Sequence, residues 1–410
     1  MARKTKKRSV LKTIVTIFFL LLLAAFIAGY AFTAKYMKDY FPRFDAPDPS
    51  LTAAYGYDHY EADYPRQEVS FRSGDNLLKG YIYGLNNDKG VIVFAHGLGA
   101  SHASYFPTIT ALVDRGWRVF AYDATGSYTS EGKSTVGLAQ SVIDLDRAVT
   151  FVENNSVFAN MPIFVMGHSW GGYASAAVLN MDHDIKGCVS MSGYSTPMAE
   201  LCETADDLFS DKSVLVYPFM WVYNKVHAGR FASYSAVDGL NKSGIPALII
   251  HGDNDETVKY YGAAIIANQG RINNPNVQYY TFETEGKDTH NGFFYTSEYL
   301  DHYNNDLKAK SDELDSRNDV TDEELAEYIA MVDKEKYNAL NPDLIDMIDE
   351  FLEPLVGAPV ETHEQETAPE TEPAETTAPE TEAAEEETSE EAASEEAPAE
   401  EAETAAESAE

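Results

Sequence analysis

The chain has 410 residues, with 30 Lys and Arg against 67 Asp and Glu, for a formal net charge of −37. A nucleic-acid partner needs clustered cations to neutralise phosphates, so this balance argues against one. Cys188 and Cys202 are too few for a disulfide scaffold, and with neither C-x-x-C nor H-E-x-x-H in the chain no zinc ligand set is visible.

Cations open the chain: Arg3, Lys4, Lys6, Lys7, Arg8 and Lys12 lie within residues 1–12. Residues 13–34 then run for 22 positions without a charge. At ~1.5 Å per residue that is enough to cross a ~30 Å hydrocarbon layer. The preceding cations hold the N-terminus in the cytoplasm and place everything after Lys35 outside the membrane. Gly29-Tyr30-Ala31 has the small-x-small form of a cleavage site, but the apolar run exceeds the ~7–15 residues of a removed signal. A single-pass, uncleaved signal anchor is therefore expected. Residues 35–65 mix prolines and tyrosines without a period and read as a juxtamembrane connector.

A globular domain is expected over residues 66–355. Glu68–Arg72 and Leu78–Tyr83 are predicted strands around the turn Ser73-Gly74-Asp75-Asn76. Gly90–Ala95, Trp117–Tyr122, Pro162–Met166, Gly187–Met191, Ile245–Ile250 and Val277–Phe282 are short, mostly apolar runs, the pattern of strands buried on both faces. Helical segments fall between them at Phe106–Arg115, Gly137–Asn154, Tyr173–Leu179 and Tyr260–Asn268. This alternation predicts an α/β fold, a mostly parallel central sheet with helices on both faces, and a ligand site at the carboxyl ends of the strands. Residues 193–243 interrupt the rhythm with many aromatics, including Phe209, Tyr217, Phe219 and Trp221, and read as a helical lid. Thr321-Asp-Glu-Glu324 has capping-box spacing, and Asn341–Leu352 reads as a closing helix. The remainder, 356–410, carries 20 Glu and no Lys or Arg from Glu361 onward and is expected to stay disordered.

The stretch Val165-Met-Gly-His-Ser-Trp-Gly-Gly-Tyr-Ala-Ser175 sets Ser169 at a predicted strand-to-helix corner. Gly167 and Gly171, two before and two after, leave the room that such a corner needs, and the helix start supplies free N–H groups for an anion. A serine hydroxyl at neutral pH needs a base. Of ten histidines, His96, His168 and His251 suit backbone turns, whereas His290 lies in the loop after the last strand and can reach across the sheet top. The base needs a carboxylate to orient it. Asp255 clears the strand end at Ile250, and Asp253 is expected to bond its own turn. Anion stabilisation falls to the N–H groups of Leu98, in His96-Gly-Leu-Gly99, and Trp170.

With Ser169, Asp255 and His290 in that chain order and H-G-x-G upstream, the sequence resembles the α/β-hydrolase superfamily over about residues 66–355. Tyr122-Asp-Ala-Thr-Gly-Ser-Tyr-Thr-Ser-Glu-Gly-Lys-Ser134 is similar to a segment of its serine aminopeptidase and monoacylglycerol-lipase-like branch, with Thr125 and Ser127 standing where that branch usually has Arg and Gly. The resemblance implies acyl transfer to water through an acyl-serine, with no metal or organic cofactor. The function expected is that of a membrane-tethered, extracytoplasmic carboxylesterase or lipase acting on a small-molecule or lipid-like ester. The alternatives are an aminopeptidase-like serine peptidase, holding a substrate amine on Glu200, Glu203, Asp206 or Asp207, and an idle surface-binding protein.

Overall fold

A computed structural model describes residues 2–357, with side chains from residue 10 onward. The acidic stretch beyond residue 357 and the side chains of Arg3 to Arg8 lie outside the described residues. In chain order the elements are α1 (Ala2–Tyr40), α2 (Tyr57–Tyr60), β1 (Arg66–Ser73), β2 (Asn76–Tyr83), β3 (Val91–Ala95), α3 (Phe106–Asp114), β4 (Arg118–Tyr122), α4 (Gln140–Glu153), β5 (Ile163–His168), α5 (Trp170–Ala177) and β6 (Ile185–Met191). Then follow α6 (Pro197–Phe209), α7 (Tyr217–Ala228), α8 (Ala236–Ser243), β7 (Ala247–Gly252), β8 (Val277–Phe282), α9 (Ser297–His302), α10 (Lys308–Asp315), α11 (Asp322–Met331), α12 (Lys334–Tyr337) and α13 (Pro342–Leu352).

The strands form one 8-stranded sheet in the order β1-β2-β4-β3-β5-β6-β7-β8. β1 and β2 form a hairpin and β2 meets β4 antiparallel; every later pairing is parallel. The apolar runs sit at the centre because both faces are covered: every residue of β3, β5 and β7 is buried. Side chains on one face join a core with α4, α5 and α8, and those on the other pack on α3 and α13. The chain leaves β3 towards β4 on one side and returns to β5 on the other, so a crevice opens outside the carboxyl ends of β3 and β5. The segment between β6 and β7 folds as the helices α6, α7 and α8.

Two features differ from the sequence expectation. Tyr260–Asn268 forms turns and a 3-10 segment instead of an α-helix. The Glu203 carboxylate accepts from the N–H groups of Lys259 and Ala263, both at 2.8 Å, and so holds the start of this segment as a turn. Residues 35–48 are also built into the domain. α1 continues without a break through Tyr40, Phe41 is fully buried, and the Arg43 guanidinium donates to the carbonyls of Tyr128, Ser130 and Gly132. Phe44 adds main-chain bonds to Gly126 and Tyr128 at 2.9 and 2.7 Å. The loop in which Thr125 and Ser127 replace Arg and Gly is thus held by an arginine from upstream, and by Asp144, which accepts from the Thr125 N–H and hydroxyl.

Val10–Tyr40 of α1 is long and apolar enough to cross a membrane. Its C-terminal half packs on the lid: the Phe26 and Phe219 rings lie 5.3 Å apart, and Tyr36 meets Phe209 edge-on at 5.9 Å.

Candidate active site

β5 ends at His168 and α5 starts at Trp170, which leaves Ser169 to make the whole turn at φ 56°, ψ −113°. That conformation costs a non-glycine residue roughly 1–3 kcal/mol and persists only where the surroundings hold it. They do so here. The Ser169 N–H donates to Met191 O at 2.8 Å, and its carbonyl accepts from Tyr173 at 2.9 Å. α5 then runs so close to the sheet that side chains are excluded. A Cβ on Gly171 would collide with the Ala95 carbonyl, one on Gly167 with the Gly171 carbonyl, and one on Gly172 would sit 2.5 Å from Met191 O. The Trp170 ring is buried, with its indole N–H on Leu138 O at 2.8 Å, so the residue whose backbone N–H opens α5 is fixed in place.

Ser169, Leu98, Trp170 and His290 line one cavity of ≈ 460 Å³ at the carboxyl ends of the strands. Leu98 sits in the turn after β3, and Gly97 beside it is tied to the Tyr105 hydroxyl at 3.1 Å. The sequence-predicted nucleophile, base and anion donors therefore meet at one place.

Asp255 stands behind His290. The His290 Nδ1–H donates to Asp255 Oδ2 at 2.8 Å, and since a carboxylate only accepts, this leaves Nε2 as the basic nitrogen. The other oxygen of Asp255 accepts from the N–H groups of Thr257 and Val258, both at 2.9 Å. His251 Nε2–H adds a contact at 3.1 Å while it also donates to Val258 O. Burial pushes the Asp255 carboxyl up, but the hydrogen bonds and charges of His251 and His290 outweigh it and hold the group well below the usual carboxylate range. Asp253 is exposed, and the turn bond expected of its side chain is not formed among the described residues.

The three turn histidines have structural partners. His96 Nδ1–H donates to Gly97 O at 2.7 Å, and its Nε2 accepts from Ala124 N at 2.9 Å. His168 has both ring nitrogens engaged at the cavity wall: its Nε2–H donates to His290 O at 3.0 Å, and its Nδ1 accepts from the Tyr105 hydroxyl at 2.9 Å. Burial, with His290 close by, pushes His168 down to about 3, so it is neutral. Gly97, Tyr105, His168 and His290 form one hydrogen-bonded chain that joins the β3 turn, the β5 corner and the histidine loop. Tyr105 carries no local sequence signal for this role, because its partners lie 8 and 63 positions away.

Of the four lid carboxylates considered as amine anchors, only Glu200 lines the cavity. Glu203 caps the 259–263 turn, Asp206 accepts from the Tyr217 hydroxyl, and Asp207 pairs with Lys259. Glu200 is 7% exposed with Oε2 unpartnered. Burial, reinforced by Glu203 and Asp255, pushes its carboxyl up to about 8. Cys188 and Cys202 are both free thiols.

Residues 86–228 match the family model described as serine aminopeptidase, S33. Among solved structures, an esterase of Pyrococcus furiosus is similar at 19% identity, over 67% of this chain and 97% of that one, with a TM-score of 0.46. An alpha-beta hydrolase of Vibrio vulnificus shares 18% identity over 65% and 88% of the two chains, with a TM-score of 0.46. The acylaminoacyl peptidase of Pyrococcus horikoshii shares 17% over 57% of this chain and 39% of its own, with a TM-score of 0.41. At such distances these likenesses say nothing of the substrate. No curated protein matches the sequence. The sheet order and the strained serine corner are those of the α/β-hydrolase fold, and residues 86–228 are similar to the serine aminopeptidase family S33.

Proposed function

We propose that the protein is a membrane-anchored serine hydrolase that cleaves a carboxylic ester on the outer side of the membrane, with Ser169 as nucleophile. The observation that carries this reading is the pairing of His290 Nδ1 with Asp255 at 2.8 Å in the cavity that Ser169 lines. Ser169 Oγ attacks the ester carbonyl carbon while His290 Nε2 takes its proton. The N–H groups of Leu98 and Trp170 receive the oxyanion, and such donors are worth roughly 10²–10³ in rate each. Collapse of the tetrahedral adduct expels the alcohol, which takes the proton from His290. Water, deprotonated by the same nitrogen, then attacks the acyl-serine, and the acid leaves as Ser169 regains its proton.

Of the four candidate amine anchors Glu200 alone lines the cavity, and the free enzyme does not hold it ready for that role. With its carboxyl raised to about 8, the free enzyme presents a neutral acid at neutral pH, whereas holding an ammonium group calls for a carboxylate. A fluorophosphonate probe on the full-length protein in detergent tests the nucleophile: it labels Ser169 and spares Ser169→Ala. Absence of labelling in folded wild type refutes the enzyme reading. Turnover of p-nitrophenyl esters against aminoacyl anilides then separates esterase from peptidase, and protease accessibility on intact cells tests the side of the membrane.

A further inference from the structure

The lid packs against α1 at positions inside the apolar span. Phe219 lies on Gly29, where a Cβ would sit 2.7 Å from Phe219 Cε2 and nearer still to Cζ, and it also meets Phe26. Gly29 and Phe26 precede Lys35, the first charge after the span, by 6 and 9 residues. At ~1.5 Å per residue α7 reaches about 9–13 Å below that charge. A water-facing lid at that depth would be polar. Instead, Leu208, Val214, Leu215, Trp221 and Val226 are each more than half exposed. So many exposed apolar side chains in one segment, with Asp211 and Lys212 the exposed charges between Leu208 and Val214, would be an aggregation liability in water.

The seam between α1 and the lid is apolar as well. Phe32, Met37 and Tyr40 from α1 face Leu201, Leu208 and Met220 across it, and it abuts the Ser169 cavity, with Tyr40 and Thr204 lining both. The free space in the seam is only ≈ 20 Å³, so an occupant must part the two walls. Those walls are side chains of separate elements, and part of the lid wall is already exposed at Leu208.

We infer that α7 and the end of α6 dock into the outer leaflet beside α1, and that the α1–lid seam is the path by which the acyl chain of a leaflet lipid ester reaches Ser169. The membrane helix is then one wall of the substrate site as well as an anchor. The chemistry of the path rests on the esterase reading above; the docking contact does not.

Full-length protein in phospholipid vesicles tests both parts. The chain has 3 tryptophans. Trp117 and Trp170 are buried at 0% and 1% exposure and Trp221 is exposed at 53%, so contact quenching by dibrominated phosphatidylcholine reports on Trp221. Quenching is expected in wild type and is expected to vanish in Trp221→Phe. For the path, Leu208→Asp places a charge in the seam at an exposed position. It is expected to keep p-nitrophenyl acetate hydrolysis within about twofold and to lose about tenfold or more on vesicle-embedded p-nitrophenyl palmitate. No bromine quenching, or a dimer that buries the patch around residue 221, overturns the docking. Palmitate hydrolysis unchanged in Leu208→Asp, with acetate still hydrolysed, overturns the path and leaves the esterase reading standing. A wild type that is quenched but hydrolyses neither ester overturns the esterase reading and the path, while the docking contact stands.

Discussion

Replacing Asp255 by asparagine changes one atom of the site and tests its wiring. Oδ1 accepts from two main-chain N–H groups at 2.9 Å, so an asparagine must keep its carbonyl oxygen there. Its NH₂ then occupies the place of Oδ2 and faces the N–H groups of His290 and His251, now 2.8 and 3.1 Å away. Donor meets donor at both. His290 escapes by moving its proton to Nε2, so that Nδ1 accepts from the amide, but Nε2 can then no longer take a proton from Ser169. A wrong tautomer of this kind costs about 10⁴ in kcat, or ~5.5 kcal/mol at 1.36 kcal/mol per decade. His251 retains Val258 O, so its loss is one contact, roughly 1–3 kcal/mol of stability. The assay is kcat/KM on a p-nitrophenyl ester at neutral pH alongside thermal unfolding. A loss below about tenfold in a folded variant would show that Asp255 does not set the tautomer of His290.

Gly171→Ala drives a methyl into the Ala95 carbonyl, a backbone-to-backbone collision that no rotamer relieves, and is expected to cost about 3 kcal/mol or more, read as a lower denaturant midpoint. Arg43→Ala removes three guanidinium–carbonyl bonds to the 128–132 loop and is expected to cost about 1–3 kcal/mol by thermal unfolding; an unchanged Tm would mean the connector is not held there. Glu200 binds its proton more tightly folded, near 8, than unfolded, near 4.5. Below the unfolded value the contribution is fully present, and it is lost as pH rises to the folded value. Wild type should therefore lose stability relative to Glu200→Gln between those limits, by at most roughly 5 kcal/mol. Parallel Tm–pH curves for the two proteins would contradict the raised value.

What could be read in the sequence was local. β3, β5 and β7 announce themselves because burial on both faces demands unbroken apolar runs, and the 73–76 turn and the Thr321 cap carry their own signals within a few positions. Ser169 was legible because its strained corner needs Gly167 and Gly171 at fixed offsets. The rest depends on partners far along the chain. Tyr260–Asn268 has helical spacing, yet Glu203, more than fifty residues earlier, ties the N–H groups of Lys259 and Ala263 into a turn at its start. The order in residues 35–48 comes from Arg43 reaching carbonyls 85 to 89 positions away, which no period in the connector encodes. Nothing near Glu200 distinguishes it from Glu203; only the packed lid turns one inward and the other onto a turn.

The contact of Phe219 with Gly29 also bears on whether the small-x-small stretch at residues 29–31 is open to a peptidase in the folded protein. A processing peptidase needs its target in an extended form, and Gly29-Tyr30-Ala31 is helical with an aromatic ring of the lid lying across it. Residues 217–228 leave the ribosome long after residues 29–31. Any cut at that site therefore competes with the folding of a segment nearly two hundred residues downstream. Once the lid has packed on the helix, the folded protein itself shields that stretch, a second obstacle to cutting besides the length of the apolar run.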